Sequence, residues 1–379
     1  MKIMRLNKLS LFVALALSPL TGSFAATVYS SNGTDLDLYG SISAMGATNK
    51  AAQSIKTSQS KKNLNNTILT RVDFGIAGRT KINDTVYAIA ASRWTMPATD
   101  GNDSDFITKE QYVGIDAQNY GTLTFGRGDN AFYSVAGVTD VFTQLDFNTN
   151  DHYVFGDYQQ SQIMYSLSAM GIDFRLSAQL AADDVADSNV DLKNGAAFSL
   201  STHLLNGIGF SYGLSYYDLK SDDSSDGSSF YADNILKMYS RADNDYDFAY
   251  SVQPSWKIDK GIAVTYGNFG EGLYVATNAT VTKYEKFTHH LYSYEAIVNY
   301  TFENGFGTTL GYAIKRFNGA NIQSLATLGF YYSLTPSFKL FAEGTLDINS
   351  KPERYYSNRQ IKNMCIGENK ALIGAQYLY

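Results

Sequence analysis

Aspartates and aromatic side chains are concentrated in residues 129–157, directly after the alternating segment 121–125 and Gly126-Arg127-Gly128. A connection of nearly thirty residues inside a compact fold is typically either functional or disordered. The aromatic content argues against a disordered linker. The charged and aromatic residues of 129–157 include Phe132, Tyr133, Asp140, Phe142, Asp146, Phe147, Asp151, Tyr153, Phe155 and Asp157. We therefore expect this stretch, with its carboxylates, to fold inward and pack inside a larger structure.

Other candidate chemistry is weakly supported by the residue spacing. The aspartate groups within 183–187 and 222–226 suggest calcium or bridged lipid headgroups, but they lack the glycine and spacing of an EF-hand, so solvated loop charge is the simpler interpretation. Gly126-x-Gly128 follows a strand but opens no helix, so it does not fit a nucleotide site. The histidines have no metal spacing with cysteine or carboxylates: His152, His203, His289 and His290. No metal and no cofactor is predicted.

The first 25 residues have the three-part pattern of a secretory signal. Lys2, Arg5 and Lys8 precede the apolar run 9–17, and small residues follow at 23–25. The alternative, a membrane anchor, conflicts with the shortness of the apolar run. We expect residues 1–25 to be removed and residues 26–379 to form one domain.

The composition after residue 25 narrows the class. The remaining 27 basic residues face 36 acidic ones, a net charge of about −9, and no basic cluster is present to bind nucleic acid. Cys365 is the only cysteine, so an exported chain of this length has no disulfide framework. With 29 tyrosines, 31 glycines and five prolines, the composition favours a large β-structure.

Segments of ten to fourteen residues alternate apolar and polar side chains, as in transmembrane β-strands that face lipid outward and water inward. Segments 171–180, 245–258 and 337–348 show the pattern most clearly, and charges at alternate positions require a wet interior. The last segment, 367–379, is predicted to close a barrel against segment 35–48, because closure removes strand edges that lipid cannot satisfy.

Short and long connections also alternate, which is typical of outer-membrane barrels with long extracellular loops. Turn-forming links are predicted at 81–84, 118–121, 168–171, 206–207, 259–261, 303–305 and 335–337. Longer polar stretches are predicted at 49–64, 97–104, 129–157, 183–192, 221–244, 275–289, 318–323 and 349–366. The fold prediction is therefore all-β: a transmembrane antiparallel β-barrel of about 16 strands, wide enough for an aqueous channel, with an inward-folded third loop.

Several motifs resemble the Gram-negative general porins. They are Asp35-Leu36-Asp37-Leu38-Tyr39-Gly40, Arg71-Val72-Asp73-Phe74-Gly75, Tyr112-Val113-Gly114-Ile115, Tyr120-Gly121-Thr122-Leu123-Thr124-Phe125-Gly126-Arg127 and the C-terminal aromatic residue. The resemblance covers residues 26–379 and is strongest over 35–145. It implies an outer-membrane homotrimer of sixteen-stranded barrels, in which carboxylates of the third loop face a basic cluster on the barrel wall.

The resemblance assigns the wall residues one by one. Arg71 matches a wall arginine, and Lys109 stands where another arginine is usual, which keeps the charge but not the planar fork. Tyr158 falls where a third arginine often lies, and Ser41 replaces a common lysine. Arg93 and Arg175 are either further members of the cluster or solvated lumen residues, since lumen faces are polar in any case.

On the loop, Asp140 matches the first acidic position of the family. The family's tip sequence is replaced by residues 143–146, so the second carboxylate is missing or displaced to Asp146. A thinned basic wall and an aspartate-rich loop predict a cation-preferring diffusion channel for ions and small hydrophilic solutes, with selection by a transverse field.

Two other functions stay open at this stage. A solute-specific channel would favour aromatic residues along the lumen, whereas the tyrosines and phenylalanines fall mostly in the outward phase. An outer-membrane hydrolase would need a Ser–His pair within hydrogen-bond reach, and no Gly-x-Ser-x-Gly sequence is present.

Strand pairing yields one further expectation. Arg127 is in phase with Leu123 and should point outward, where an arginine facing lipid at mid-membrane costs roughly 2–4 kcal/mol. A tight turn at 118–121 would pair residues whose numbers sum to 237 or 239, which sets Glu110 beside Arg127 on the outer face and Lys109 in the lumen. We expect Glu110 and Arg127 to lie at the subunit interface, with Arg127 capped by a neighbour's Asp100, Asp103 or Asp105 or else accommodated by lipid thinning or snorkelling.

Overall fold

A computed structural model describes residues 25–55, 68–98, 106–147, 149–150, 158–182, 191–204, 206–220, 255–285, 289–352, 361 and 365–379. Residues 1–24 of the predicted signal lie outside the described residues. The same holds for segment 245–254, the aspartates of 183–187 and 222–226, and the proposed capping residues within 99–105.

The described chain forms one closed antiparallel β-barrel. Sixteen strands, β2 to β17, pair in sequence order, and β17 pairs with β2 through contacts such as Tyr377 with Ile42, which confirms the predicted closure. The strands are β1 Ala26–Ser31, β2 Thr34–Ala47, β3 Ile68–Lys81, β4 Tyr87–Ala98, β5 Ile107–Asp116, β6 Thr122–Gly128, β7 Gln159–Ala169, β8 Ile172–Gln179, β9 Asp191–His203, β10 Ile208–Lys220, β11 Trp256–Asn268, β12 Glu271–Tyr284, β13 Leu291–Thr301, β14 Phe306–Phe317, β15 Ala320–Thr335, β16 Phe338–Asp347 and β17 Lys370–Leu378.

β1 is an extra strand outside the cycle of sixteen. It forms a hairpin with β2 through Asn32 and Gly33, whose positive φ angles of 52° and 76° suit a tight turn. β1 pairs with residues 34–38 of β2, and β17 pairs with residues 41–47, so the β1 hairpin covers an edge that β17 leaves open.

Strict alternation makes these segments strands rather than helices. In β13, every second side chain from Leu291 to Asn299 is buried, and the intervening Tyr292, Tyr294 and Val298 are exposed. Successive side chains of a strand point to opposite faces, so the buried set lines the interior and the exposed set faces lipid.

The helical elements are short. They are the helices α1 Asn49–Ile55 and α2 Tyr133–Ala136 and the 3₁₀ turns Gln118–Tyr120 and Gly137–Thr139. Within the described residues, no helix is long and apolar enough to cross a membrane.

The predicted connections are wrong in two regions. Residues 259–261 lie inside β11, residues 275–284 belong to β12, and the turn between these strands is at Phe269–Gly270. Asp259 suggests a turn by composition, yet its buried carboxylate accepts hydrogen bonds from Ser215 and Thr282 on the neighbouring strands. The stretch 318–323 likewise shrinks to a two-residue link before β15.

The register between β5 and β6 also differs from the prediction. The connection 117–121 closes around a 3₁₀ turn, so paired residue numbers sum to 238, and Gln111 rather than Glu110 lies opposite Arg127. An extra residue at Lys109 then forms a β-bulge against β4, where Glu110 pairs with Arg93 and Thr108 with Trp94. The prediction of Glu110 on the outer face is therefore wrong.

Candidate pore constriction

The segment 129–147 crosses the barrel interior and is anchored first on two inward glycines. Gly213 in β10 and Gly261 in β11 are paired, and a Cβ atom at either position would lie 2.9 Å from Val135 and 3.0 Å from Phe132. Only the absence of side chains at both glycines lets these two loop residues contact the wall. Phe132 and Val135 are consequently fully buried.

The second anchor is the buried carboxylate of Glu295 in β13. It accepts hydrogen bonds from Thr139 at 2.5 Å and Thr149 at 2.6 Å, one on each oxygen. Asn278 of β12 donates to both Thr139 and Glu295, at 2.8 and 3.2 Å. A carboxylate removed from water needs such donors. Here the two branches of the loop supply them: Thr139 lies before the tip at 143–146, and Thr149 lies after it.

Apolar packing joins the loop to the same wall. Phe142 and Phe147 meet edge to face with centroids 5.4 Å apart, and both are buried. They share a cluster with Val141, Tyr274, Ala276, Ile297, Ala313 and Leu325. The loop is therefore a packed element and not a solvated strap.

The loop tip is held by Glu343 of β16. Its carboxylate accepts the backbone N–H groups of Thr143 at 2.5 Å, Gln144 at 3.0 Å and Leu145 at 2.9 Å. The hydroxyl of Tyr331 donates to the same carboxylate at 3.1 Å. Charge-assisted hydrogen bonds of this kind are stronger than neutral ones, so Glu343 fixes the tip in one position.

Beyond the tip, the loop reaches the far wall. Leu145 belongs to a buried cluster with Met45, Leu69, Phe341 and Leu372. Leu69 precedes Arg71 by two residues on the same face of β3, so the acidic tip ends beside the wall that carries the predicted basic residues.

On this wall, three inward arginines of β3 and β4 each contact a carboxylate of β3 or β5. Arg71 contacts Asp73 at 2.9 Å, and Arg93 contacts Glu110 at 2.8 Å. Nearer the short-turn end, Arg79 contacts Asp116 at 3.0 Å. The side chain of Arg93 is only 9% exposed, so its charge requires this compensation.

Tyr158 joins two of the predicted cations. Arg93 donates to its hydroxyl at 2.5 Å, and the Lys109 ammonium lies 5.4 Å from its ring centroid. The bulge at Lys109 brings both Lys109 and Glu110 to this side of β5. Tyr39 and Tyr112 lie within electrostatic reach of Arg93 and Glu110. The structure thus brings Arg93, Lys109 and Tyr158 together.

The remaining predicted residues lie in separate places. Asp140 accepts a hydrogen bond from the Tyr133 hydroxyl at 2.7 Å on the loop, and Asp146 follows Leu145 at the tip near Tyr331. Arg175 in β8 shares its face with the buried Ser177 and lies in the field of Asp129, at the start of the loop. Whether Asp140 and Asp146 act against Arg71 and Lys109 stays a prediction.

Arg127 lies on the outer face of β6, opposite Gln111, and its Nε donates to the carbonyl of Thr108 at 3.0 Å. Gln111 is exposed and in phase with the exposed Val113 and Ile115, which fixes the outward direction of this row. Glu110 does not share this face, so the predicted outward ion pair is absent.

Sequence reasoning missed the roles of Glu295, Glu343, Asp73 and Glu110. The sequence signal for Glu343 is a charged residue at an inward position of an alternating segment. That signal does not reveal the partner, because the loop lies about two hundred residues away in the sequence. Among the described residues, no group of three or more His, Cys, Asp or Glu side chains could hold a metal ion.

Among the described histidines, His203 comes nearest to a catalytic arrangement. It contacts Asp173 at 3.4 Å, and Ser168 donates to the same carboxylate at 2.5 Å. A hydrolase nucleophile would instead donate to the histidine. Here Ser168 donates to Asp173 and not to His203, so this arrangement does not match a hydrolase nucleophile.

Comparison with known proteins identifies relatives. Residues 12–352 match the family of Gram-negative porins. The chain is 25% identical over 332 residues to outer membrane porin PhoE of Klebsiella oxytoca, an alignment covering 86% of this chain and 85% of that one.

Solved structures share the fold. Salmonella typhi OmpF, solved with daunomycin, superposes with a TM-score of 0.69 at 15% identity, covering 93% of this chain and all of that one. The anion-selective porin from Comamonas acidovorans superposes with a TM-score of 0.59 at 12% identity, over 91% of this chain and all of that one. Because that porin is anion-selective, sharing this fold does not by itself predict cation preference.

Proposed function

Because the chain belongs to the Gram-negative porin family and is an outer-membrane porin, we propose that it forms a water-filled, cation-preferring channel for passive diffusion of ions and small hydrophilic solutes. In this proposal, residues 1–25 are the export signal. Segment 129–147 narrows the lumen, and the passage runs between this loop and the wall of β2–β5.

The observation that carries the ion preference is the pairing on the wall. Arg71, Arg79 and Arg93 are each within 3.0 Å of a carboxylate from the same wall, so their charges are largely offset where they stand. In this proposal the loop contributes the carboxylates of Asp140 and Asp146 opposite this wall, which also carries Lys109. Charges across a partly desolvated passage interact more strongly than in bulk water, so a loop that carries carboxylates opposite largely offset arginines favours cations.

The direct test is the double substitution Asp140→Asn with Asp146→Asn. We expect the ratio of cation to anion permeability to fall several-fold. The ratio is obtained from the reversal potential in a salt gradient across a planar bilayer. The matched control, Glu271→Gln with Glu303→Gln, removes two exposed carboxylates near the short-turn end and should leave the potential nearly unchanged. An unchanged potential in the aspartate variant would place the selective constriction elsewhere.

We further propose a homotrimer whose interface includes β4–β6. Arg127 lies on the outer face of β6, and an arginine exposed to lipid in this band costs roughly 2–4 kcal/mol, so cover by a neighbouring subunit would be favourable there. On the neighbouring strands, Phe74 and Trp94 stack on the same outer face with centroids 5.9 Å apart, which offers a flat aromatic surface to a second subunit.

A solute-specific channel is a second candidate, favoured by one observation. Tyr39, Tyr112 and Tyr158 cluster around Arg93 on the interior side of the wall, so the lumen holds more aromatic residues than the outward phase of most tyrosines suggested. A specific channel would show flux that saturates with solute concentration. Linear flux for several unrelated solutes would support the general channel.

A further inference from the structure

The first long connection of the barrel begins with a helix that does not lie in solvent. Helix α1, Asn49–Ile55, starts two residues after the end of β2, and its Ala51 and Ala52 are 0% and 1% exposed. Residues of a long polar connection normally run over the surface and are in contact with water. The burial of both alanines therefore means that α1 packs against other parts of the chain.

The residues that cover the two alanines face the lumen. Ala51 and Ala52 belong to one buried cluster with inward residues of β2, β3, β16 and β17, which are Met45, Leu69, Phe341 and Leu372. The neighbouring residues Ile68, Leu340 and Ile373 are exposed on the outer face. Because successive side chains of a strand point to opposite faces, the cluster lies on the interior side of the wall. Helix α1 is accordingly folded into the mouth of the barrel.

A glycine in β17 makes room for this packing. Gly374 is in phase with the buried Leu372, and a Cβ atom at Gly374 would lie 2.7 Å from the Phe341 ring and 3.0 Å from the Met45 Cβ. The Phe341 ring therefore lies against the backbone of β17 and extends from β16 toward β2. Together these side chains form a continuous apolar surface across three strands.

The tip of the inward loop packs in the same cluster. Leu145 is 4% exposed and belongs to the cluster that contains Ala51 and Ala52. The backbone of the tip is held separately, by the carboxylate of Glu343. Because α1 follows β2 at the long-loop end of the barrel, it approaches the tip from the extracellular side. Two different loops thus meet in one apolar cluster at the narrow part of the lumen.

Polar contacts attach α1 to the start of β17. The Lys50 ammonium lies 2.5 Å from the Glu368 carboxylate, and the side chains of this pair are 32% and 39% exposed. Just before the helix, the Thr48 N–H donates to the Ala371 carbonyl at 2.8 Å, and the Ala371 N–H donates to the Thr48 hydroxyl at 3.1 Å. A partly exposed ion pair stabilises only weakly and is screened by salt, so a single charge reversal can release this attachment.

We propose that α1 is a second inward element of the channel, and that α1 and the loop tip together set the largest solute that passes. The side chain of Leu145 is enclosed between α1 and the wall, so displacement of α1 uncovers the tip and widens the entrance above it. Steric cover acts on neutral and charged solutes alike. The inference rests on the proposed diffusion channel, but it does not depend on the proposed ion preference.

The experiment determines which neutral polyethylene glycols enter a single channel in a planar bilayer, since a polymer that enters lowers the conductance and an excluded polymer does not. In Lys50→Glu, repulsion from Glu368 should release α1, so polymers above the size limit of the original chain should now lower the conductance. Lys50→Glu combined with Glu368→Lys exchanges the two charges and should restore the original limit. Neutral polymers are the suitable probe, because a charge change at the entrance alters the ion current by itself.

Ala52→Glu tests the same role without changing the ion pair. It places a carboxylate in the apolar cluster, where burial of an unpaired charge is costly, so α1 should leave the cluster and the size limit should rise. Lys81→Glu is the matched control. It makes the same charge reversal in an exposed pair with Asp84 at the short-turn end, and it should keep the original limit.

An original size limit in either Lys50→Glu or Ala52→Glu would overturn the proposal, and so would a raised limit in the charge-exchanged double variant. The same holds if Lys81→Glu raises the limit as much as Lys50→Glu does. Absence of ion current in the original chain would contradict the diffusion channel and this inference with it. A conducting channel with an unchanged limit in the variants contradicts only the role of α1.

Discussion

Arg93 and Glu110 show how a cation is kept on the wall of a narrow passage. The arginine is nearly buried, and its guanidinium contacts both the Glu110 carboxylate at 2.8 Å and the Tyr158 hydroxyl. A buried charge without its partner costs several kcal/mol, so the carboxylate is needed where the arginine stands. The same carboxylate cancels the positive potential that the arginine would otherwise present to a passing ion.

At the residue scale, we predict that Glu110→Gln makes the channel less cation-preferring. The substitution leaves the Arg93 charge uncompensated, so anions should pass more readily, and the reversal potential in a salt gradient reports this change. It should also destabilise the barrel by about 3 kcal/mol, measured by thermal or denaturant unfolding. Glu271→Gln, which removes an exposed carboxylate, provides the control. A variant with unchanged selectivity would mean that the wall pairs do not face the ion path.

At the scale of elements, the inward loop is a packed element with several attachments. Phe132 and Val135 rest on inward glycines, Glu295 holds both branches and Glu343 holds the tip. The attachments at Glu295 and Glu343 are polar and reversible. At the tip, Leu145 is buried against the barrel wall, and three successive backbone N–H groups donate to Glu343. The position of the tip therefore depends on Glu343.

We predict that Glu343→Gln loosens the loop tip. A neutral amide offers one carbonyl acceptor in place of a carboxylate that accepts three backbone N–H groups, and hydrogen bonds to charged groups contribute about 1.5–3 kcal/mol each. Single-channel recordings should show greater current noise and altered conductance. Tyr331→Phe removes one donor to the same carboxylate but keeps the loop contacts, so it should behave almost like the original chain. Identical recordings from both variants would contradict the anchoring role.

At the scale of the whole molecule, the outer surface is divided into sectors. One sector carries Arg127 and the stacked Phe74 and Trp94, and the opposite sector carries Lys260, Lys283 and Arg316. A uniform lipid environment would not require two such different surfaces. The difference supports an assembly in which one sector contacts protein and the other contacts lipid.

Arg127→Ala should therefore lower the temperature at which trimers dissociate, observed on a native gel in detergent without added lipid. Single-channel conductance should be nearly unchanged, because Arg127 lies outside the lumen. Arg316→Ala removes an outward arginine from the opposite sector and should not change the dissociation temperature. Trimers of Arg127→Ala with normal heat resistance would show that this sector is not the interface.

The sequence by itself determined the class of fold, the number of strands and their closure. Alternation with period two is a local property, and the phase of exposed residues such as Val113 and Ile115 follows directly from it. The inward loop was also predictable, since a long connection rich in aromatic residues must pack against something.

The tertiary structure alone decided the register between β5 and β6 and the partners of Glu110 and Glu343. A 3₁₀ turn at residues 118–120 and a bulge at Lys109 shifted the pairing by one residue, which moved Glu110 from the predicted outer face to the interior. A shift of one residue reverses the face of every side chain, and composition does not specify it. The contacts of Glu343 with the loop tip join residues about two hundred positions apart, and only chain closure in space brings them together.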